Sequence, residues 1–204
     1  MSNGLDLMNN QKFSIKQIHE IAEWIGFESR NKYQITNEKN HIIAYAAEQQ
    51  KGFWGFLFRQ ALGHLRTFDV LFFDNSRNII VRAHHPFRWY FERIEVYDEK
   101  NVLIGAIQKR FSIFNKRFDI EDERKNILME MSSPLWKIWT FTFTYRNQKM
   151  AEIKKKWSGL LSEILTDRDN FQVEYLNSNL KENEKMLILV SSIFIDLLYF
   201  EHKQ

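Results

Sequence analysis

The sequence predicts a mainly β fold: an antiparallel sheet closed around one apolar C-terminal helix. Three observations predict it. Polar turn clusters recur from Asn37 to Gln148, separated by short runs rich in Phe, Ile, Val, Trp and Tyr, the pattern of many short strands in a sandwich or barrel. Met186–Phe200 reads MLILVSSIFIDLLYF, which as a helix is apolar nearly all round and so must be buried or span a membrane. Aromatics make up 15% of the chain, with 18 Phe, 6 Trp and 7 Tyr, ample to fill the space between sheet and helix.

Taken in order, residues 1–12 read as a polar leader, and residues 13–204 as a single domain. The leader lacks the basic lead-in and apolar core of a signal peptide, and Ser2 stands where N-myristoylation needs Gly. From Phe13 to Ile25 the residues Ile15, Ile18, Ile21, Ala22 and Ile25 recur at three- and four-residue steps, which predicts a short N-terminal helix capped by Ser14. Its polar face carries Lys16, Glu20 and Glu23, a poor match to the basic face of a membrane-surface helix. Turns are predicted at Asn37–Asn40, Asp74–Asn78, Asp98–Asn101, Asn115–Lys116, Asp122–Asn126 and Arg146–Gln148. Phe87, Trp89 and Phe91 alternate, and the register then slips to Ile94 and Val96, the mark of a bulge or a break. Val102–Phe111 alternates less cleanly, as a strand covered on both faces would. At ~1.5 Å per residue the run Met186–Phe200 is about 22 Å long, short of the ~30 Å hydrocarbon core. It also carries Asp196, Ser191 and Ser192, so a buried helix is favoured over a single membrane span, with Ile188, Phe194, Ile195 and Leu198 in the core.

Composition excludes several classes of function. There is no Cys, which removes disulfides, thiolate zinc sites, iron–sulfur clusters, a Cys nucleophile and S-palmitoylation together. Seven Gly and two Pro beside so many aromatics argue against a disordered chain. The net charge of +3, from 29 Lys and Arg against 26 Asp and Glu, permits contact with anionic lipid or nucleic acid without requiring it.

The candidate chemistry is sparse. Thr166-Asp167-Arg168-Asp169-Asn170 clusters oxygen donors of the kind calcium takes. An EF-hand counted from Asp167 would need an oxygen side chain, Gly and Glu where Phe171, Gln172 and Ser178 stand, so a full EF-hand is excluded. A weaker calcium site on Asp167 and Asp169 is the candidate, and a plain turn entering a strand is the alternative. Lys154, Lys155 and Lys156, followed by Trp157, form a compact basic run beside an aromatic, with Lys109-Arg110 and Lys116-Arg117 adding charge. Such a run suits lipid headgroups, phosphoinositides or nucleic-acid phosphates; a solvated surface is the alternative. His84 and His85 are adjacent, and in a strand they would point to opposite faces and share no metal. His64, after Gly63, reads as structural. No HExxH, GxSxG, GxGxxG or P-loop occurs, so the chain is not expected to be an enzyme.

Several runs together resemble the phospholipid scramblase family. They are Gly26-Phe27-Glu28 through Asn31-Lys32-Tyr33-Gln34-Ile35, Tyr45-Ala46-Ala47-Glu48, and His85-Pro86-Phe87-Arg88 leading into Ile94-Glu95-Val96. Lys155-Lys156-Trp157-Ser158-Gly159-Leu160-Leu161, Thr166-Asp167-Arg168-Asp169-Asn170-Phe171 and Ile195-Asp196-Leu197-Leu198-Tyr199-Phe200-Glu201 follow in the family's order. The resemblance implies a tubby-like, twelve-stranded β-barrel closed around the C-terminal helix. It implies lipid binding and calcium-promoted, energy-independent movement of phospholipid between leaflets. It places calcium ligands at Asp167 and Asp169, with only backbone carbonyls available at Phe171, Val173 and Tyr175 and Ser178 where the family has an acid. The Pro-rich arm and Cys-rich stretches of animal members have no counterpart, since the first Pro is Pro86 and Cys is absent. The expected partners are phospholipids or phosphoinositides at a membrane surface, with nucleic acid not favoured and no oligomeric state implied. The expected location is cytoplasmic and peripheral to the membrane. The alternative function is a soluble lipid- or phosphoinositide-binding module, or a protein or nucleic-acid interaction module, without scrambling.

Overall fold

A computed structural model describes residues 5–18, 29–49, 67–137, 139–156 and 170–199, with the side chains of Ser29, Arg30 and Lys156 also outside the description. Twelve strands run β1 (Lys12–Gln17), β2 (Ser29–Asn37), β3 (Ile42–Gln49), β4 (Phe68–Phe73), β5 (Ile79–His85), β6 (Arg93–Asp98), β7 (Leu103–Arg110), β8 (Asn115–Glu121), β9 (Ile127–Pro134), β10 (Thr140–Tyr145), β11 (Gln148–Lys156) and β12 (Asn170–Tyr175). Each pairs antiparallel with its neighbours in sequence, and β1 closes on β12 with Phe13 opposite Val173, so the sheet is a closed barrel. Closure removes the unpaired edges that an open sheet of this size would expose. The last element, α1 (Glu182–Tyr199), fills the barrel.

Alternation decides which side chains line the interior. Phe13 and Ile15, Phe118 and Ile120, Phe141 and Phe143, and Phe171 and Val173 alternate inward and share one core with Leu187, Ile188, Val190, Phe194 and Ile195 of the helix. Leu198 packs against that core from a partly buried position. The helix begins earlier than its apolar run, because its first turn is polar. Glu184 Oε2 accepts a 2.8 Å hydrogen bond from the Lys181 backbone N–H, closing the end as a capping box does. Glu182 and Glu184 also place negative charge at the positive end of the helix. The hydroxyls of Ser191 and Ser192 donate back to the carbonyls of Leu187 (2.7 Å) and Leu189 (2.6 Å), so two polar side chains sit inside the barrel with their donors used. Lys185 is buried at the same end, where its Nζ donates to the Leu7 carbonyl at 2.9 Å. Burial pushes its pKa down, and the charge of Asp6 partly offsets this. Leu5 and Leu7 are thereby held in the core.

An up-and-down barrel has two different rims. Connections after even-numbered strands lie at one end, here called the turn rim, and those after odd-numbered strands at the other, the loop rim. The turn rim repeats one device. Asn37, Asp74, Asp98 and Asp122 each use a side-chain oxygen to accept backbone N–H groups two and four residues on. The third residue on adopts positive φ: Asn40, Arg77, Asn101 and Lys125. These are tight hairpin connections of the Asx type. α1 enters from this rim after residues 176–181 and ends with Tyr199 toward the loop rim.

Two expectations change, and one open alternative is decided. Phe13–Gln17 is strand, not helix, with Phe13, Ile15 and Gln17 inward. Apolar residues at steps of two fit a strand, and the three-residue steps that suggested a helix begin only at Ile15. The remainder of that predicted helix, from Glu20 to Ile25, lies outside the described residues. Asn115 and Lys116 open β8, and the connection before them is residues 111–114. The slip in Phe87–Val96 is a break: residues 86–92 connect two strands, and β6 begins at Arg93. Among the described residues no helix is long and apolar enough to cross a membrane.

Candidate functional site

The basic run of β11 is split by its strand. Lys154 faces out, and its Nζ donates to Glu152 Oε2 at 2.7 Å; that bond raises its pKa. Lys155 faces the other way, with Nζ 5.0 Å from the Trp139 ring centroid and 5.8 Å from that of Phe171, within cation–π range. The Lys156 side chain and Trp157 lie outside the described residues. The other basic pairs are also engaged. Lys109 Nζ meets Glu92 Oε2 at 2.9 Å, and Arg117 meets Glu130 at 2.7 Å. Arg110 binds Asp119 (2.7 Å) and Glu121 (2.8 Å), and Arg93 binds Glu121 from the other side (2.7 Å). At the edge of this network burial pushes the Glu95 carboxyl up, but hydrogen bonds from Tyr97 and Arg93 outweigh it and hold the pKa below the usual range.

Of the calcium candidates, Asp167 and Asp169 lie outside the described residues. Phe171, Val173 and Tyr175 point into the core from β12, a strand paired with β11 on one side and β1 on the other. The Tyr175 hydroxyl donates to the Lys185 carbonyl at 2.7 Å, and burial raises its pKa well above the phenol range. Ser178 lies in the connection before α1. Among the described residues no three His, Asp or Glu side chains converge as a metal site. His84 and His85 part as the strand requires. His84 Nδ1 lies 2.6 Å from Asp69 Oδ1 on the outer face, while His85 is buried and stacks on Phe68 at 4.7 Å. His64 lies outside the described residues.

The loop rim is the surface that sequence reasoning missed. Its described connections are residues 86–92, 111–114, and 135–137 with 139, consecutive around the barrel from β5 to β10. Backbone hydrogen bonds tie the first to β7, Lys109 N–H to the Glu92 carbonyl at 2.9 Å, and join the second to the third, Leu135 N–H to the Phe114 carbonyl at 3.3 Å. Large apolar side chains stand in solvent at their tips: Trp89 is 70% exposed, Tyr90 89%, Phe111 75%, Ile113 67%, Phe114 71% and Trp136 76%. Among the described residues every exposed Phe and Trp is on this rim, whereas the turn rim exposes mainly isolated aliphatics such as Ile79, Val102 and Ile127. The run FRWYF reads as strand in sequence, because aromatics signal strands and exposure leaves no local mark.

The inner wall near the same rim is polar on one side. Gln17 Nε2 donates to Asn31 Oδ1 at 3.0 Å, and Asn31 Nδ2 donates to Glu48 Oε2 at 2.7 Å, all three residues buried. Beside them the Tyr33 hydroxyl donates to Asp196 Oδ2 at 2.7 Å. This is a hydrogen-bonded plug, and it contains no nucleophile–base pair.

Sequence comparison identifies the family. The sequence profile of the family described as Scramblase matches residues 1–202. The chain is 26% identical to phospholipid scramblase 2 of Bos taurus, over 91% of this chain and 67% of that protein. It is 24% identical to phospholipid scramblase family member 5 of Homo sapiens, over 92% and 72%. A phospholipid scramblase family protein of Schizosaccharomyces pombe is 20% identical over 83% of this chain and 48% of its own length. A solved structure of an Arabidopsis thaliana protein superposes with a TM-score of 0.49 at 10% identity, over 95% of this chain and 94% of that one. With the family profile spanning nearly the whole chain, this protein belongs to the Scramblase family.

Proposed function

We propose that the chain binds phospholipid at a bilayer surface and lets it pass between leaflets without an energy source, with calcium acting through Asp167 and Asp169. The family match over residues 1–202 carries this reading. The exchange breaks no covalent bond and so needs no catalytic constellation. α1 is enclosed by strands, so it offers no route through the bilayer for a headgroup. The lipid path therefore runs along the outside of the barrel or at its rim, with the protein peripheral to the membrane and distorting the layer it touches. Phospholipid is the primary partner, with phosphoinositides as the more strongly charged members of the same class.

The test is reconstitution into vesicles whose fluorescent lipid is bleached from outside. Protein-containing vesicles are expected to lose inner-leaflet label on adding bleach, faster with calcium, and Asp167→Ala with Asp169→Ala is expected to abolish the calcium increment. Inner-leaflet label as protected as in empty vesicles would sink lipid movement. A rate indifferent to calcium in both proteins would remove the two aspartates from the mechanism and leave lipid movement standing.

A further inference from the structure

We infer that the loop rim is the face that meets the bilayer, with Trp89, Phe114 and Trp136 entering the interfacial layer of an anionic membrane and Arg88 and Lys137 meeting its phosphates. This rests on the phospholipid reading above and adds to it a docking face and a lipid charge.

Exposure supplies the first argument. Trp89, Phe114 and Trp136 are each 70% or more exposed, on connections that are adjacent around the barrel, the last two joined by a backbone hydrogen bond. Scattered apolar side chains on a surface need no explanation, but clustered ones mark an interaction site. Trp and Tyr favour the membrane interface, where one end of the ring is wet and the other apolar.

Charge selects the occupant. The three connections carry Arg88 and Lys137, both exposed, and only one acid, Glu92, which Lys109 holds. Lys109 and Lys116 stand beneath them on β7 and β8. The turn rim carries Glu38, Asp74, Asp98, Glu99, Asp122 and Glu123 beside Lys39, Arg77, Lys100, Arg124, Lys125 and Arg146, so its charges cancel. An anionic surface thus attracts the described part of the loop rim and finds no net attraction at the turn rim. A second copy of the chain fits less well, because a two-fold contact through this rim would bring like cations together.

The absence of Cys allows a direct test. Single cysteines are introduced by Ile113→Cys on the loop rim and Glu123→Cys on the turn rim, and each is labelled with an environment-sensitive fluorophore. Vesicles of phosphatidylcholine alone are compared with a three-to-one mixture of phosphatidylcholine and phosphatidylserine. The loop-rim label is expected to brighten and shift to the blue on the anionic vesicles, and the turn-rim label to stay water-like. Replacing Trp89, Phe114 and Trp136 with Ser is expected to weaken vesicle co-sedimentation by about tenfold per residue, with the thermal midpoint unchanged because all three are exposed. Arg88→Gln with Lys137→Gln is expected to lose the preference for anionic vesicles. If the unlabelled chain co-sediments while the loop-rim label stays water-like, docking uses another face, and the inference fails while the phospholipid reading stands. If neither vesicle is bound and no lipid moves, that reading falls as well. A blue shift that grows with protein concentration in the absence of vesicles would assign the rim to a second copy and overturn the inference.

Discussion

The Tyr33 hydroxyl donates a 2.7 Å hydrogen bond to Asp196 Oδ2, both residues being buried, and so ties β2 to the central helix across 163 positions of sequence. Asp196 is the acid that interrupts the apolar run of the helix, and this bond offsets part of the cost of burying it there. Removing the donor alone leaves a buried acceptor short of a partner. Tyr33→Phe is therefore expected to cost about 1–3 kcal/mol in urea unfolding. The double variant Tyr33→Phe with Asp196→Leu is expected to cost less than the two single changes summed, by on the order of 1 kcal/mol. Strict additivity would show that the bond contributes nothing.

At Gly105 the barrel wall and the helix approach closely. A Cβ built there would collide with the Glu121 carbonyl oxygen on β8 and lie 2.8 Å from Leu187 Cδ1 on α1. Backbone cannot move aside as a flexible side chain does. Gly105→Ala is expected to destabilise the fold by about 1–3 kcal/mol, the usual range for overpacking. Pairing it with Leu187→Ala relieves only the helix side of the clash, so partial recovery is expected. Full recovery in the double variant would show that the strand contact is not the limiting one.

These two contacts show what sequence does and does not display. The turn rim is legible because Asp74, Asp98 and Asp122 leave a chemical signature at fixed offsets. The helix is legible because a run of fifteen residues with a single charge, Met186–Phe200, needs an enclosure. β1 is not legible, because Phe13 and Ile15 gain their partners from Val173 and Phe171 at the far end of the chain. Nor is the loop rim, since Trp89 and Phe114 have the same composition as core residues and differ only in where the barrel puts them. The split of Lys154 from Lys155 follows from strand alternation once β11 is known to be extended.

The turns have a pH signature. The Asp74 carboxylate takes a hydrogen bond from the Asn78 side chain and others from the backbone N–H groups of Asn78 and Ser76, which outweigh desolvation and hold its pKa below the usual carboxylate value. Asp122 is lowered in the same way by Asn126. A carboxyl whose pKa is depressed on folding contributes stability in full above its unfolded value, about pH 4, and loses it as pH falls through its folded value. Asp74→Asn is expected to lower the thermal midpoint at pH 7 and to match the unmodified protein near pH 2. A midpoint difference that stays constant from pH 7 to pH 2 would exclude this linkage.

Lys125 occupies the positive-φ position of the Asp122 turn at φ 67°, a conformation that costs an ordinary L-residue roughly 1–2 kcal/mol and glycine little. Glycine is also more flexible in the unfolded chain, which returns part of that gain. Lys125→Gly is expected to stabilise the protein by about 0.5 kcal/mol, read as a higher urea midpoint at unchanged slope. A lower midpoint would mean that the lysine side chain stabilises the turn by more than its backbone strain costs.

The C-terminal end of α1 has no basic residue in its last turn, yet its negative dipole end is met by cations from the wall. Lys116 Nζ lies 3.7 Å from the Tyr199 ring centroid and Lys109 Nζ 5.8 Å from it. Phe118 and Phe141 flank the same ring at 6.4 and 6.3 Å. Burial, with Glu92 adding a smaller effect, pushes the Tyr199 phenol well above its usual range, so the ring stays neutral and its face stays open to a cation. Helix dipole and cation–π attraction here act through the same lysine. Lys116→Met keeps the aliphatic stem and removes the charge. It is expected to cost about 1 kcal/mol and to raise amide hydrogen exchange in the last turn of α1 while leaving the first turn unchanged. Tyr199→Leu in the Lys116→Met background is expected to add less than it does alone. Equal increments in the two backgrounds would separate the lysine from the Tyr199 ring.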